Sequence, residues 1–190
     1  MPKLMIVIAS TRPGRVGLPV AEWFRDRAAE HGGFEVGMVD FAELELPLLD
    51  EASHPRLRQY TKQHTHDWSA MVEDADAFVF VTSEYNHGYP ASLKNAMDYV
   101  FPEFNKKPMT FVGYGNAGGA RAIEQLRLVS VEFEMAPLRR AVHIFPDVMR
   151  PAMTSEEFTP ALFESLDARL EMMIEELVWW ATALKNARDN

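Results

Sequence analysis

Residues 10 to 17 read Ser10-Thr11-Arg12-Pro13-Gly14-Arg15-Val16-Gly17, directly after the apolar run Leu4-Met5-Ile6-Val7-Ile8-Ala9 and ahead of a helical pattern. Hydroxyls, small residues and the backbone amides of a helix N-terminus can all donate to a phosphate. Arg12 and Arg15 can add charge-assisted hydrogen bonds to a dianion. The spacing is neither G-x-G-x-x-G nor G-x-x-x-x-G-K-[ST], so the dinucleotide fingerprint and the P-loop are both absent. That omission favours a mononucleotide phosphate held by a Ser/Thr/Arg loop, although a solvated turn after a strand would carry the same residues.

A second loop, Ser83-Glu84-Tyr85-Asn86-His87-Gly88-Tyr89-Pro90, follows the apolar run Phe78-Val79-Phe80-Val81. Backbone groups from Glu84 to His87 can serve the polar edge of a flat ligand, with Gly88 allowing close approach. Tyr85 or His87 can lie along its face, but loop aromatics also simply pack. Pro90 stands where a helix can begin, because the amide it lacks would have no partner there. On that helix Asn95 is expected to fix a loop and Lys94 to be solvated. A third loop, Gly115-Asn116-Ala117-Gly118-Gly119-Ala120-Arg121, has glycines that permit positive φ and expose amides to a ligand. A glycine turn also starts helices that bind nothing, so its weight comes from where it lies.

Other chemistries find less support. No G-x-S-x-G elbow accompanies Ser10 or His87, which argues against a hydrolase of that type. His64, His66 and Asp67 form an H-x-H-D pattern, but two imidazoles need further ligands and supporting hydrogen bonds. A solvated helix face is the expectation there, and no metal is assigned. No side chain is assigned as a catalytic acid or base, and the absence of cysteine removes a thiol nucleophile.

The elements that must position these loops are short apolar runs at 4–9, 34–39, 77–82, 109–114 and, more weakly, 141–145. Near-continuous apolar character suits parallel strands covered on both faces. Helical patterns lie between them, at 18–31 (Val20, Ala21, Phe24 and Ala28 on one face), 91–101 and 119–134. A final pattern at 160–186 places Leu162, Phe163, Leu166, Leu170, Met173, Ile174, Leu177, Val178, Ala181 and Leu184 in one stripe. The irregular stretch 44–66 reads as a long excursion with a helix in its second half. Five strands alternating with helices predict an α/β fold with an open parallel sheet and helices on both faces. Ligands in such sheets bind beyond the carboxyl ends of the strands, where the strand order reverses. The loops after the first, third and fourth strands are therefore expected to converge.

At 190 residues, 47% of them apolar and 25% charged, the chain reads as one ordinary globular domain, 1–190. A net charge of −9 argues against nucleic acid or an anionic membrane as partner, so any anionic cofactor must be held by local groups. The first apolar run is too short to span a bilayer, and no segment reaches roughly 18 consecutive apolar residues. Nor does the N-terminus have the spacing of a signal peptide. A soluble, cytoplasmic protein is the expectation. Trp179 and Trp180 occupy adjacent helical positions about 100° apart, which one helix face rarely buries together. With the bulky Tyr99-Val100-Phe101-Pro102 cluster, read as core or subunit interface, they suggest a homo-oligomer, at least a dimer.

The motifs S-T-R-P-G-R at 10–15, S-E-Y-N-H-G-Y-P at 83–90, L-K-N-A-M-D at 93–98 and G-N-A-G-G at 115–119 resemble those of the NAD(P)H-dependent FMN reductases. The resemblance spans roughly residues 3 to 146. It implies a flavodoxin-like five-stranded sheet in the order 2-1-3-4-5, bound FMN, and NADPH or NADH as hydride donor. Carried over by position, it puts Ser10, Arg12 and Arg15, with Val16 and Gly17, at the FMN phosphate. It puts Glu84, Tyr85, Asn86, His87 and Gly118 around the isoalloxazine, and Ser83, Gly115, Asn116 and Gly119 of the same two loops count with them as cofactor-binding positions. The family usually has Pro where this chain has Ser83, a change that loosens the loop and adds a hydroxyl. The implied activity is hydride transfer through FMN to a small acceptor: free flavin, a quinone, an azo compound or another electrophile. A flavodoxin-like carrier without its own NAD(P)H turnover is the contrasting class, and a non-catalytic nucleotide sensor a third.

Overall fold

A computed structural model describes residues 1–154 and 160–189. In chain order the elements are β1 (Lys3–Ile8), α1 (Gly17–His31), β2 (Glu35–Asp40), α2 (Phe41–Leu44), α3 (Gln63–Asp74), β3 (Ala77–Ser83), α4 (Ala91–Asp98), β4 (Pro108–Tyr114), α5 (Ala120–Glu132), β5 (Ala136–Pro137), β6 (Val142–Ile144), α6 (Pro146–Thr154) and α7 (Asp167–Asp189). The sheet is parallel in the order β2-β1-β3-β4-β5, with β6 also pairing β4. That is the order expected from the sequence.

Alternation along each strand splits the core into two layers. Leu4, Ile6, Ile8, Val79, Val81 and Val112 pack with Val20 and Phe24 of α1 and with Leu170, Ile174 and Leu177 of α7. On the opposite face, Met5, Val7, Phe78, Phe80 and Phe111 meet Trp68 of α3, Leu93 of α4, and Ile123 and Leu126 of α5. β3 and β4 are buried at every position, as their unbroken apolar runs predict.

Four expectations need correction. The strand expected at 141–145 is present as β6, but a shorter piece, β5, precedes it along the same edge of β4, the two pairing at Val112–Tyr114 and Pro108–Met109 respectively. Between them side chains replace the ladder: Thr110 Oγ1 donates to the Arg140 carbonyl at 2.6 Å, and Arg127 Nη2 donates to the Leu138 and Arg139 carbonyls at 3.2 and 2.7 Å. The terminal helix starts at Asp167, because Pro160–Leu166 winds as a 3₁₀ segment. The 44–66 excursion holds only a 3₁₀ turn at Pro55–Leu57, and α3 begins just before its end, at Gln63. Finally, α4 stops at Asp98. Pro102 disfavours helical backbone at Phe101, and Tyr99, Val100 and Phe101 turn into the core at 0%, 0% and 6% exposure. They are core residues, so they carry no argument for a subunit interface.

Candidate active site

The loops after β1, β3 and β4 meet at the carboxyl edge of the sheet around a cavity of about 540 Å³. Ser10, Arg12, Pro13, Gly14, Arg15 and Val16 line it from the first loop, and Ser83, Glu84 and Tyr85 from the second. Tyr114, Gly115 and Asn116 come from the third, and Pro146, Met149 and Arg150 close it from the start of α6.

In the first loop, a turn bonded from the Arg15 amide to the Arg12 carbonyl at 3.0 Å leads into α1. The Ser10 hydroxyl and the Tyr85 phenol share a hydrogen bond of 2.6 Å, tying the first loop to the second. The two arginines differ. Arg15 forms an ion pair with Asp40 at the end of β2, and that carboxylate's other oxygen caps α2 through the Ala42 amide at 2.9 Å. Arg12 is exposed and makes no ion pair among the described residues.

The second loop is a tight turn. Tyr85 and Gly88 exchange backbone hydrogen bonds of 2.8 and 2.9 Å, which forces both central residues to positive φ, Asn86 at 50° and His87 at 70°. That pair of signs belongs to a type I′ turn. The sequence points to Gly88 as the permissive position, but the pairing places the left-handed backbone on its two predecessors. Asn and His are among the few non-glycine residues that tolerate it. Pro90 is the N-cap of α4, which starts at Ala91, where the helical pattern begins. Asn95 donates to the Pro47 carbonyl at 2.7 Å and accepts from the Leu49 amide, fixing the excursion, while Lys94 pairs with Asp98.

Arg121 of α5 joins the second loop to the third. Its backbone amide donates to Glu84 at 3.1 Å, its Nε donates to the same carboxylate at 2.6 Å, and its Nη1 donates to His87 Nε2 at 2.8 Å. Arginine is only a donor, so His87 Nε2 is the acceptor of that hydrogen bond. Burial pushes the Glu84 carboxyl up, and the hydrogen bonds and charge of Arg121 more than offset it, holding Glu84 below the usual carboxylate range.

Nine of the residues singled out from the sequence therefore share the cavity wall: Ser10, Arg12, Arg15, Val16, Ser83, Glu84, Tyr85, Gly115 and Asn116. The other five stand behind or beside it. Asn86 and His87 form the turn above. Gly17 is packed under the Tyr114 hydroxyl, which lies 2.8 Å from where a Cβ would be. Gly118, at φ 60°, gives its carbonyl to His143 Nδ1 at 2.9 Å. Gly119, at φ 71°, lets its backbone approach Gly113, with a Cβ position only 2.8 Å from the Gly113 Cα. Tyr114, Pro146, Met149 and Arg150 were missed. The end of an apolar strand gave a hint of Tyr114; nothing local marks the α6 residues. His64 pairs with Asp50 at 3.0 Å and His66 lies edge-on to Tyr60, and no cluster of metal-binding side chains occurs among the described residues.

A doubly wound parallel sheet with a loop-lined cavity at the β1/β3 reversal defines a mononucleotide-binding flavodoxin-like domain. Its family follows from comparison with known proteins: residues 2–147 match the model of the NADPH-dependent FMN reductases, and the chain belongs to that family. It is an oxidoreductase that works with FMN and NAD(P)H. An NAD(P)H-dependent FMN reductase of Schizosaccharomyces pombe is 36% identical over 172 residues, covering 86% of this chain and 84% of the relative. One from Saccharomyces cerevisiae is 34% identical over 139 residues, covering 67% and 72%. Among solved structures, the flavoenzyme NAD(P)H:(acceptor) oxidoreductase FerB of Paracoccus denitrificans superposes with a TM-score of 0.71 at 16% identity, over 96% of this chain and 98% of that one. That likeness speaks for the fold.

Proposed function

We propose that FMN lies in the 540 Å³ cavity and that the enzyme passes hydride equivalents from NADPH or NADH to a small diffusible acceptor: a quinone, an azo compound or free flavin. The observation that carries this is the meeting of three chemically different loops around one cavity whose size suits a cofactor. When bound, FMN supplies the two-electron chemistry. The chain's own residues bind and orient. Ser10, Arg12 and the amides entering α1 at Val16 and Gly17 hold the phosphate, with Arg15 keeping the loop in place through Asp40. The turn at Glu84–His87 and the amides of Gly115, Asn116, Gly118 and Gly119 serve the polar edge of the ring. Arg121 locks those two loops to each other, and Tyr85, 37% exposed, offers an aromatic surface along the cavity.

The residues fit such a group: the exposed Arg12, without an ion pair among the described residues, at one end, positive-φ backbone at the other, and buried hydroxyls without a hydrogen-bond partner among the described residues between them. We also propose a single cytoplasmic domain assembled as a homodimer or homotetramer. No helix among the described residues is long and apolar enough to cross a membrane, and Trp179 and Met172 on α7 are 65% and 46% exposed. The functional test is anaerobic mixing with NADPH and NADH followed by an acceptor panel. Rapid bleaching of bound FMN and turnover with quinone or azo dye are expected; bound FMN that neither nucleotide bleaches would overturn the reading.

A further inference from the structure

Five buried side-chain polar atoms among the described residues lack a hydrogen-bond partner, and three of them, Arg15 Nε, Ser83 Oγ and Tyr114 OH, belong to residues on the wall of this one cavity. Folded proteins keep few such groups, and a cluster of them calls for a cause. Ser83 and Tyr114 are a register pair at the ends of β3 and β4, only 3% and 7% exposed. The phenol is held protonated. Burial pushes it up to about 12 with help from the Tyr85 phenol, while the hydroxyls of Ser83 and Ser10 nearby pull the other way without reaching hydrogen-bond geometry. Tyr114 therefore has a hydrogen to give at neutral pH. Ser10 is already engaged by Tyr85 at 2.6 Å. Ser83 Oγ turns about a single bond, so it can face either the phenol or the cavity.

The place of the pair matters. The Tyr114 hydroxyl lies against Gly17, at the start of α1, and Ser83 directly precedes the Glu84 turn. The two hydroxyls thus sit between the loop that holds the phosphate and the loops that hold the ring, a placement that rests on the proposed position of FMN. In FMN a polyol joins those two parts. We propose that Ser83 binds the ribityl chain and that Tyr114 is its positioning residue. Tyr114 donates to Ser83 Oγ, which directs the Ser83 hydrogen toward a ribityl hydroxyl. This gives the serine at position 83 a purpose that proline cannot serve, since proline has no hydroxyl.

The test is fluorescence titration of the apoprotein with FMN and with riboflavin, together with the visible spectrum of bound FMN. Ser83→Ala is expected to weaken both ligands by the same factor, about tenfold, and to leave the bound spectrum unchanged, because both share the ribityl chain. Tyr114→Phe is expected to give the same pattern at a smaller factor, and the double variant to be no weaker than Ser83→Ala alone. Undiminished FMN affinity in Ser83→Ala overturns the proposal. So does a loss confined to FMN, which would make Ser83 a phosphate contact, or a shifted spectrum, which would make it a ring contact. Wild-type protein that binds neither flavin would instead overturn the placement of FMN in the cavity.

Discussion

Arg12 and Arg15 are equivalent on paper and unequal in the fold. Asp40, at the end of the neighbouring strand, holds Arg15, so Arg12 is the cation of the first loop that makes no ion pair among the described residues. Arg12→Ala should weaken FMN binding by about 1.5–3 kcal/mol, the scale of a charged hydrogen bond, and leave riboflavin binding unchanged. Isothermal titration calorimetry with the two flavins separates the outcomes, and equal losses for both would remove Arg12 from the phosphate. The three loops themselves were legible because their signals are local: hydroxyls, glycines and guanidinium groups directly after apolar runs. The Arg15–Asp40 pair was not, because it joins residues 25 positions apart through the register of β1 on β2. Met149 and Arg150 were hidden for the same reason, since only the return of the chain after β6 brings α6 to the cavity.

The elements followed their patterns where burial was complete and departed from them where one residue could tip the balance. β3 and β4 were readable from unbroken apolar runs, whereas the fifth strand and the ends of α4 and α7 depended on Pro102, Pro137 and contacts distant in sequence. The glycine turn between β4 and α5 shows how tightly such a junction is specified. A Cβ at Gly119 would lie 2.8 Å from the Gly113 Cα and 2.9 Å from the Tyr114 amide, both backbone atoms that cannot step aside. The residue also sits at φ 71°, in the left-handed region. Gly119→Ala should therefore destabilise the protein by about 1–3 kcal/mol from overpacking alone, with the unfavourable φ adding to it. Urea denaturation is the measurement, and a loss under 0.5 kcal/mol, roughly the spread of ordinary surface changes, would mean the turn relaxes freely.

For the whole molecule, stability in alkaline solution reports on groups far from the cavity. Lys107 is 6% exposed and donates from Nζ to the Val72 and Glu73 carbonyls at the end of α3, at 2.8 and 2.9 Å. Burial lowers its pKa from 10.5 to about 8. Between those values the unfolded chain binds more protons than the folded one, so stability should rise with pH, by about 3 kcal/mol across the full window. Tyr99 and Tyr114 act in the opposite sense. Burial raises both to about 12 from 10.0, so the stability they contribute is lost as pH rises past 10. Denaturation between pH 7 and 11 should show a rise and then a fall, and Lys107→Met should flatten the rise. At the same scale, light scattering should give at least a dimer mass, reduced by Trp179→Ala if the exposed face of α7 forms the contact; a monomer at micromolar concentration with full activity would end that proposal.

The broken fifth strand bears on how copies of this protein can meet. An exposed strand edge is a template on which another chain can zip, and sheet proteins commonly blunt it. Here β5 offers two residues and β6 three, and side chains already occupy carbonyls of the stretch between them. A newcomer would find no register long enough to propagate. On this side of the sheet, association is left to side-chain surfaces, and the cavity loops fold beside an edge that resists runaway fibre growth.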